Sequence, residues 1–242
     1  MLSDPVNLLL LPHAGGSAAT FRDWPCRIPA WVKPVAVSLP GRGARYGEPP
    51  LTRWAPLIDE VMAEIEPYLG GRLAIFGQSM GALVGIELAH AIRQRHGRSP
   101  VWLGMSACIA PARRVRELKW LRASNDDVLA ELDRLGGTPR DMLENLELLE
   151  LLLPAIRADF HLCGSYARES RSPLDCPLLV LSGVNDEISN VRENVLAWSD
   201  ETNGRCRIEM MAGGHFFIET ARDAVIDLIV ADLASVEGRH HA

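Results

Sequence analysis

The chain has 242 residues, 48% of them hydrophobic and 23% charged, with a net charge of −6. That composition excludes a disordered chain, a collagen-like repeat and a small disulfide scaffold, and the acidic balance argues against a general nucleic-acid face. The longest purely apolar runs are a few residues, such as Leu8 to Leu11, too short for a membrane-spanning helix. Asp4 and Pro5 before that run lack the basic start of a secretory signal, so the cytoplasm is the expected compartment. Five cysteines without a CxxC pair suggest neither a disulfide framework nor a zinc site, and each reads as a small reduced core residue.

In chain order, Val6 to Leu11 reads as a buried strand ending at Pro12. Val32 to Leu39 is a second strand, closed by Pro40-Gly41. Apolar residues at helical spacing follow from Trp54 to Tyr68, then a strand from Leu73 to Phe76 and a helix from Met80 to His96. Val101 to Ala107 is a fourth strand, Leu178 to Ser182 a fifth and Arg207 to Met211 a sixth. Helices are expected over Val191 to Trp198 and Ala221 to Val236. Strands alternating with helices predict an α/β fold with a mostly parallel central sheet flanked by helices.

The segment 111–171 breaks this alternation and carries only helical signals. Ser124 with Asp127 three residues on forms a capping-box start, and Gly136-Gly137 a stop. Thr138-Pro139 opens another helix, in which leucines including Leu143, Leu146, Leu149 and Leu153 go most of the way round. More than one face should then be covered. The expected organisation is a core of residues 1–110 and 172–238, a helical lid insertion at 111–171 whose leucines line the substrate pocket, and a tail at 239–242.

Chemistry concentrates in Gly77-Gln78-Ser79-Met80-Gly81, placed between a strand and a helix. A G-x-S-x-G in that setting is a nucleophile elbow, with glycines where the tight turn admits no side chain. The strained serine presents its hydroxyl at the sheet edge, and the following helix aims its positive end at a developing oxyanion. A serine needs a base, and seven histidines are available. His215, between Gly213-Gly214 and Phe216-Phe217 after the last strand, has the right place in the chain. The orienting acid should follow the fifth strand, where Asp186 and Glu187 both qualify. His13-Ala14-Gly15-Gly16 after the first strand offers small residues whose backbone can approach a tetrahedral intermediate. The two oxyanion donors expected are the N–H groups of Ala14 and Met80.

Leu11-Pro12-His13-Ala14-Gly15-Gly16-Ser17-Ala18, Leu39-Pro40-Gly41-Arg42-Gly43, Gly77-Gln78-Ser79-Met80-Gly81-Ala82 and Gly213-Gly214-His215-Phe216-Phe217 together resemble the type II thioesterases. These are discrete editing enzymes of polyketide and nonribosomal peptide synthesis, within the α/β-hydrolase superfamily. The resemblance spans nearly the whole core and covers the lid only by length and helical character. It implies an α/β-hydrolase fold and a cytoplasmic serine thioesterase with Ser79, Asp186 and His215 as its triad, and it favours Asp186 over Glu187. It also implies hydrolysis of acyl groups from the phosphopantetheine thiol of acyl or peptidyl carrier proteins, with no metal or organic cofactor and no nucleic-acid or membrane partner. An esterase or lipase on free small molecules, an acyltransferase and a non-catalytic carrier-binding module are the alternatives. Five cations and one anion between Arg113 and Arg122 offer a docking patch for an acidic carrier. If that segment is helical, Arg116, Lys119 and Arg122 lie near one face.

Overall fold

The computed structural model describes residues 4–137 and 146–238. Six strands form one parallel sheet: β1 (Val6–Leu11), β2 (Val32–Ala36), β3 (Leu73–Gln78), β4 (Trp102–Ser106), β5 (Leu178–Gly183) and β6 (Cys206–Met211), in the order β2-β1-β3-β4-β5-β6. The strands read as continuous apolar runs because both faces are covered. Leu9 and Leu11 enter one core while Leu8 and Leu10 enter the other. α1 (Trp54–Ile65) and α2 (Met80–His96) cover the first face. The second is covered by α7 (Arg222–Val236) together with Phe21 and Trp24, whose rings meet Phe76 of β3. Pro34 is tolerated because β2 is an edge strand.

The core elements foreseen from sequence are present, with shifted ends. β2 stops at Ala36, although the Val37 N–H still reaches the Leu10 carbonyl at 3.0 Å. The Ser38 N–H then turns to the Glu64 carboxylate at 2.9 Å, which draws the chain off the ladder. β3 runs two residues further than expected, to Gln78. The single helix expected over Val191 to Trp198 is a short α5 (Arg192–Leu196) followed by a 3-10 turn (Ala197–Glu201). α6 (Phe217–Thr220) precedes α7.

Across residues 111–171, the segment expected to be a lid, 3-10 turns at Pro111–Arg113 and Trp120–Arg122 bracket an irregular strap. α3 (Asn125–Leu135) follows, with both halves of the Ser124/Asp127 capping box formed and Gly136 left-handed at φ 76°. α4 (Leu146–Ser165) runs on through Pro154. The expected helix start at Thr138-Pro139, with Leu143, lies outside the described residues. Trp120, Val128, Leu132, Leu149, Leu153, Ile156 and Phe160 form a hydrophobic core belonging to the lid itself. Among the described residues no helix is long and apolar enough to cross a membrane.

Candidate active site

β1 leads to β2 on one side of the sheet, and the chain then crosses to β3 on the other, so the carboxyl ends of β1 and β3 form a switch point where α/β sheets open a crevice. Leu11 pairs with Gly77 there, two residues before Ser79. Ser79 is held at φ 54° and ψ −113°, and its N–H reaches across to the Ser106 carbonyl at 2.7 Å. This is the strained elbow the motif predicts. A Cβ at position 77 would lie 2.1 Å from the Gly81 carbonyl oxygen, and one at position 81 would lie 2.1 Å from the Leu11 carbonyl oxygen. The second glycine is therefore required by the end of β1, not by the turn alone.

The acid loop after β5 and the histidine loop after β6 are laced together by backbone bonds. The Val184 N–H donates to Met211 O at 2.9 Å and the Asn185 N–H to Gly213 O at 3.0 Å. A side chain on Gly183 would meet the Gly214 carbonyl at 2.5 Å, so glycine allows the two loops to touch. Their side chains then converge on Ser79. His215 Nε2 lies 2.9 Å from Ser79 Oγ and its Nδ1 lies 2.9 Å from Asp186 Oδ2. An ionised carboxylate only accepts, which assigns the proton to Nδ1 and turns the Nε2 lone pair toward the serine hydroxyl. Burial alone would raise the Asp186 pKa, but bonds from His215, the Ser189 hydroxyl and the Ile188 N–H hold it below the usual carboxylate value. Glu187 is exposed, whereas Asp186 is 2% exposed.

Two neighbours of this constellation carried no signal strong enough to single them out. Gln78, wholly buried at the end of β3, donates through Nε2 to the His215 carbonyl at 2.8 Å and so ties the histidine loop to the nucleophile strand. A polar residue closing an otherwise apolar strand was the available clue. Ser189 donates to Asp186 Oδ2 at 2.5 Å and lies 3.0 Å from Ser182 Oγ. Nothing in a lone loop serine distinguishes it.

A cavity of about 510 Å³ opens over Ser79 and His215, and Ala14 and Met80 both border it. In the His13–Gly16 turn, the Gly16 N–H bonds the His13 carbonyl at 2.9 Å. The Gly15 N–H is taken by the Asp159 carboxylate at 2.7 Å. His13 also borders the cavity, its ring edge-on to Phe216. Burial, then His215 and Arg42, lower its pKa to about 4, so it is neutral near pH 7.

One expectation about the lid needs correction, and one condition is not met. Among the described residues its contributions to the cavity wall include Trp120, Leu135 and Phe160, whereas Leu149 and Leu153 face the lid's own core. Leu146 belongs to α4, but its side chain lies outside the described residues, as does the whole of Leu143. Leu151 is 50% exposed, so the leucines of α4 do not all find cover. The basic strap is likewise not a helix. Arg116, Lys119 and Arg122 are exposed but share no helical face, and Lys119 is paired with Glu117 at 2.8 Å over the Trp120 ring. Arg114 turns inward to the Cys163 carbonyl at 2.7 Å, a bond that fastens the strap to α4.

The thioesterase domain family matches residues 6–233. The gramicidin S biosynthesis protein GrsT of Aneurinibacillus migulanus is 33% identical over 231 residues, 96% of this chain and 90% of that protein. Thioesterase PikA5 of Streptomyces venezuelae is 38% identical over 220 residues, 88% and 75% of the two chains. The solved type II thioesterase BorB from the borrelidin biosynthetic cluster superposes with a TM-score of 0.86 at 32% identity, over 95% of this chain and 93% of that one. A parallel sheet with a strained serine at its switch point, matched by these relatives along almost its whole length, identifies the chain as a member of the thioesterase family, a thioester hydrolase of the type II group with the α/β-hydrolase fold.

Proposed function

We propose that the protein hydrolyses acyl groups from the phosphopantetheine thiol of acyl or peptidyl carrier proteins, clearing stalled or wrongly primed chains from a polyketide synthase or nonribosomal peptide synthetase. The observation that carries the reading is the unbroken chain of hydrogen bonds from Asp186 through His215 to Ser79 at the base of a cavity. His215 Nε2 takes the Ser79 proton as Oγ attacks the thioester carbonyl, and Asp186 holds the imidazole and stabilises its charged form. The N–H groups of Ala14 and Met80 receive the oxyanion. Gly15 and Gly16 have their N–H groups committed elsewhere, and Met80 opens α2, where the first amides have no partner within the helix. The protonated His215 delivers its proton to the departing thiolate, and a water activated by the same nitrogen then releases the acid from Ser79. None of these steps calls on a metal or organic cofactor.

The acyl chain would extend into the cavity between Met80, Leu83, Trp120 and Phe160. The carrier would dock on the strap, where exposed Arg116, Lys119 and Arg122 alternate with Val115, Leu118 and Leu121, which are 86%, 56% and 45% exposed. Cations beside apolar side chains suit an acidic helical partner. This activity belongs in the cytoplasm, with the synthases. Hydrolysis of an acyl-carrier protein and of the matching free acyl thioester, measured side by side, tests the reading. A kcat/KM preference for the carrier, lost on Arg116→Glu, Lys119→Glu and Arg122→Glu together, is expected. Equal hydrolysis of both substrates, unaffected by charge reversal, would leave an esterase of free small molecules.

A further inference from the structure

Away from the triad, the turn after β2 meets lid helix α4 through a buried ion pair that no step above uses. Arg42 is 4% exposed and Asp159 is 1% exposed. The guanidinium forks onto the carboxylate, with one nitrogen on Oδ2 and the other on Oδ1 at 2.8 Å, and its Nε donates to the Pro40 carbonyl at 3.3 Å. Asp159 Oδ2 is also the acceptor for the Gly15 N–H. One turn earlier on α4, Ile156 closes over the same residue, so that a Cβ at position 15 would lie 2.8 Å from its Cγ1. The turn that carries the Ala14 amide is therefore gripped by the lid as well as fed by β1.

Buried ion pairs contribute little net stability, since well-packed apolar residues replace them at no loss in many proteins. A pair whose carboxylate also holds a backbone amide next to the oxyanion site has a second use open to it. We propose that Arg42 and Asp159 are positioning residues for catalysis. They fix the Ala14–Gly15 peptide plane, and with it the direction of the Ala14 N–H toward the reacting carbonyl. The bond from the Gly16 N–H to the His13 carbonyl closes the turn, so holding its central peptide leaves the preceding amide little freedom. An oxyanion donor acts through preorganisation, and a displacement near 1 Å is enough to lose on the order of a hundredfold in rate. The lid helix is on this account part of the oxyanion apparatus rather than only a cover.

The inference rests on the proposed function, and the experiment separates the two. A small free acyl thioester is the substrate, so carrier docking does not enter, and a fluorophosphonate that labels the active serine reports on Ser79. Asp159→Asn leaves Arg42 buried without its charge partner and risks the fold. The double variant Arg42→Met with Asp159→Leu removes both charges, keeps apolar volume, and still deprives Gly15 of its acceptor. For the double variant we expect kcat to fall roughly 10–100-fold with KM within about twofold, a melting temperature near that of the unaltered protein and an unchanged pH profile. A trifluoromethyl ketone, which forms a tetrahedral adduct, should lose affinity by the same factor as kcat/KM. Arg42→Lys keeps the charge and loses the fork, and should show a smaller fall in kcat of the same kind, which keeps the test open if the double variant does not fold. Unaltered kcat in either folded variant, or a fall that only tracks the unfolded fraction, would overturn the positioning role. Failure of the unaltered protein to hydrolyse the thioester or to label at Ser79 would instead overturn the proposed function.

Discussion

The sheet core and the lid solve the same problem, covering apolar residues, at different scales. In the core, β1, β3, β4 and β5 are covered on both faces, and α2 is buried over most of its length from Met80 to Ile92. Among the described residues the lid has one small cluster of its own, around Trp120, Leu153 and Phe160, and the end of α4 joins the main core through Leu162 and Tyr166 and a bond from Trp54 Nε1 to the Leu162 carbonyl at 3.0 Å. Val115, Leu118, Leu121 and Leu151 remain exposed around that cluster. Asp186 and His215 sit where burial is nearly complete, whereas these exposed apolar side chains lie on the strap and α4.

The largest expected effect comes from the core. Ser79→Ala should abolish thioester turnover, a loss on the order of 10⁴-fold or more, while the far-ultraviolet dichroism and melting temperature stay unchanged. Alanine at φ 54° is no more strained than serine. Mass spectrometry of an acyl-enzyme trapped on any other residue would break the assignment. Next, Asp186→Asn should lower kcat on the order of 10⁴-fold by disturbing the histidine tautomer. Glu187→Gln, on an exposed side chain, should stay within about twofold, and steady-state kinetics of both variants give the ranking.

The lid offers a sharper contrast. Phe160→Ala changes the cavity wall as well as the lid's core, and should alter the chain-length preference of kcat/KM across a series of acyl thioesters. Leu153→Ala empties a site in the lid's own core, at about 2–5 kcal/mol of local packing, and should show as faster amide exchange along α4 with preference largely retained. If the two variants exchanged roles, the boundary between the lid's core and the substrate cavity would have to be redrawn.

The smallest effect is electrostatic. Burial lowers the pKa of His13 to about 4, and burial with the nearby Arg171 and Arg93 lowers that of His90 to about 3. A histidine depressed in the folded state gives its full stabilisation above its unfolded value near 6.5, and loses it progressively as pH falls toward the folded value. For His13 the shift corresponds to at most about 3 kcal/mol. Urea midpoints should therefore fall between about pH 6.5 and pH 4. His90→Asn, whose side-chain oxygen can replace the Nδ1 that faces Arg93 at 3.1 Å, should flatten that decline.

How legible each region was follows from the same contrast. A strand covered on both faces writes itself as an uninterrupted apolar run, so β1, β3 and β5 were readable with one or two residues' error. The elbow was readable because its glycines answer to backbone clashes that no other residue tolerates. Around the site, legibility ended where a residue acts through a single hydrogen bond. Gln78 and Ser189 look like any polar residue until β3 and the acid loop are brought together. In the lid, leucine spacing gave the helix but not the direction its faces point, since that depends on where α3 and α4 cross. The strap between Arg113 and Arg122 has cations at helical intervals, yet its backbone is held off the helix: the Glu117 N–H bonds the Gly164 carbonyl at 2.7 Å and Arg114 bonds Cys163. Both ties are long-range, and local periodicity carries no trace of them.

Ser79 and His215 are 136 residues apart in the chain, and the lid is synthesised between them. At roughly 5–20 residues per second, a growing chain would carry its serine for on the order of ten seconds before the histidine exists. During that interval β2, β1, β3 and β4 can pair, but β5 and β6, which carry the acid and histidine loops, have yet to close the β4 edge. The hydroxyl stays an ordinary alcohol throughout. The carboxylate and the imidazole that line up on Ser79 exist only once residues 186 and 215 have been made.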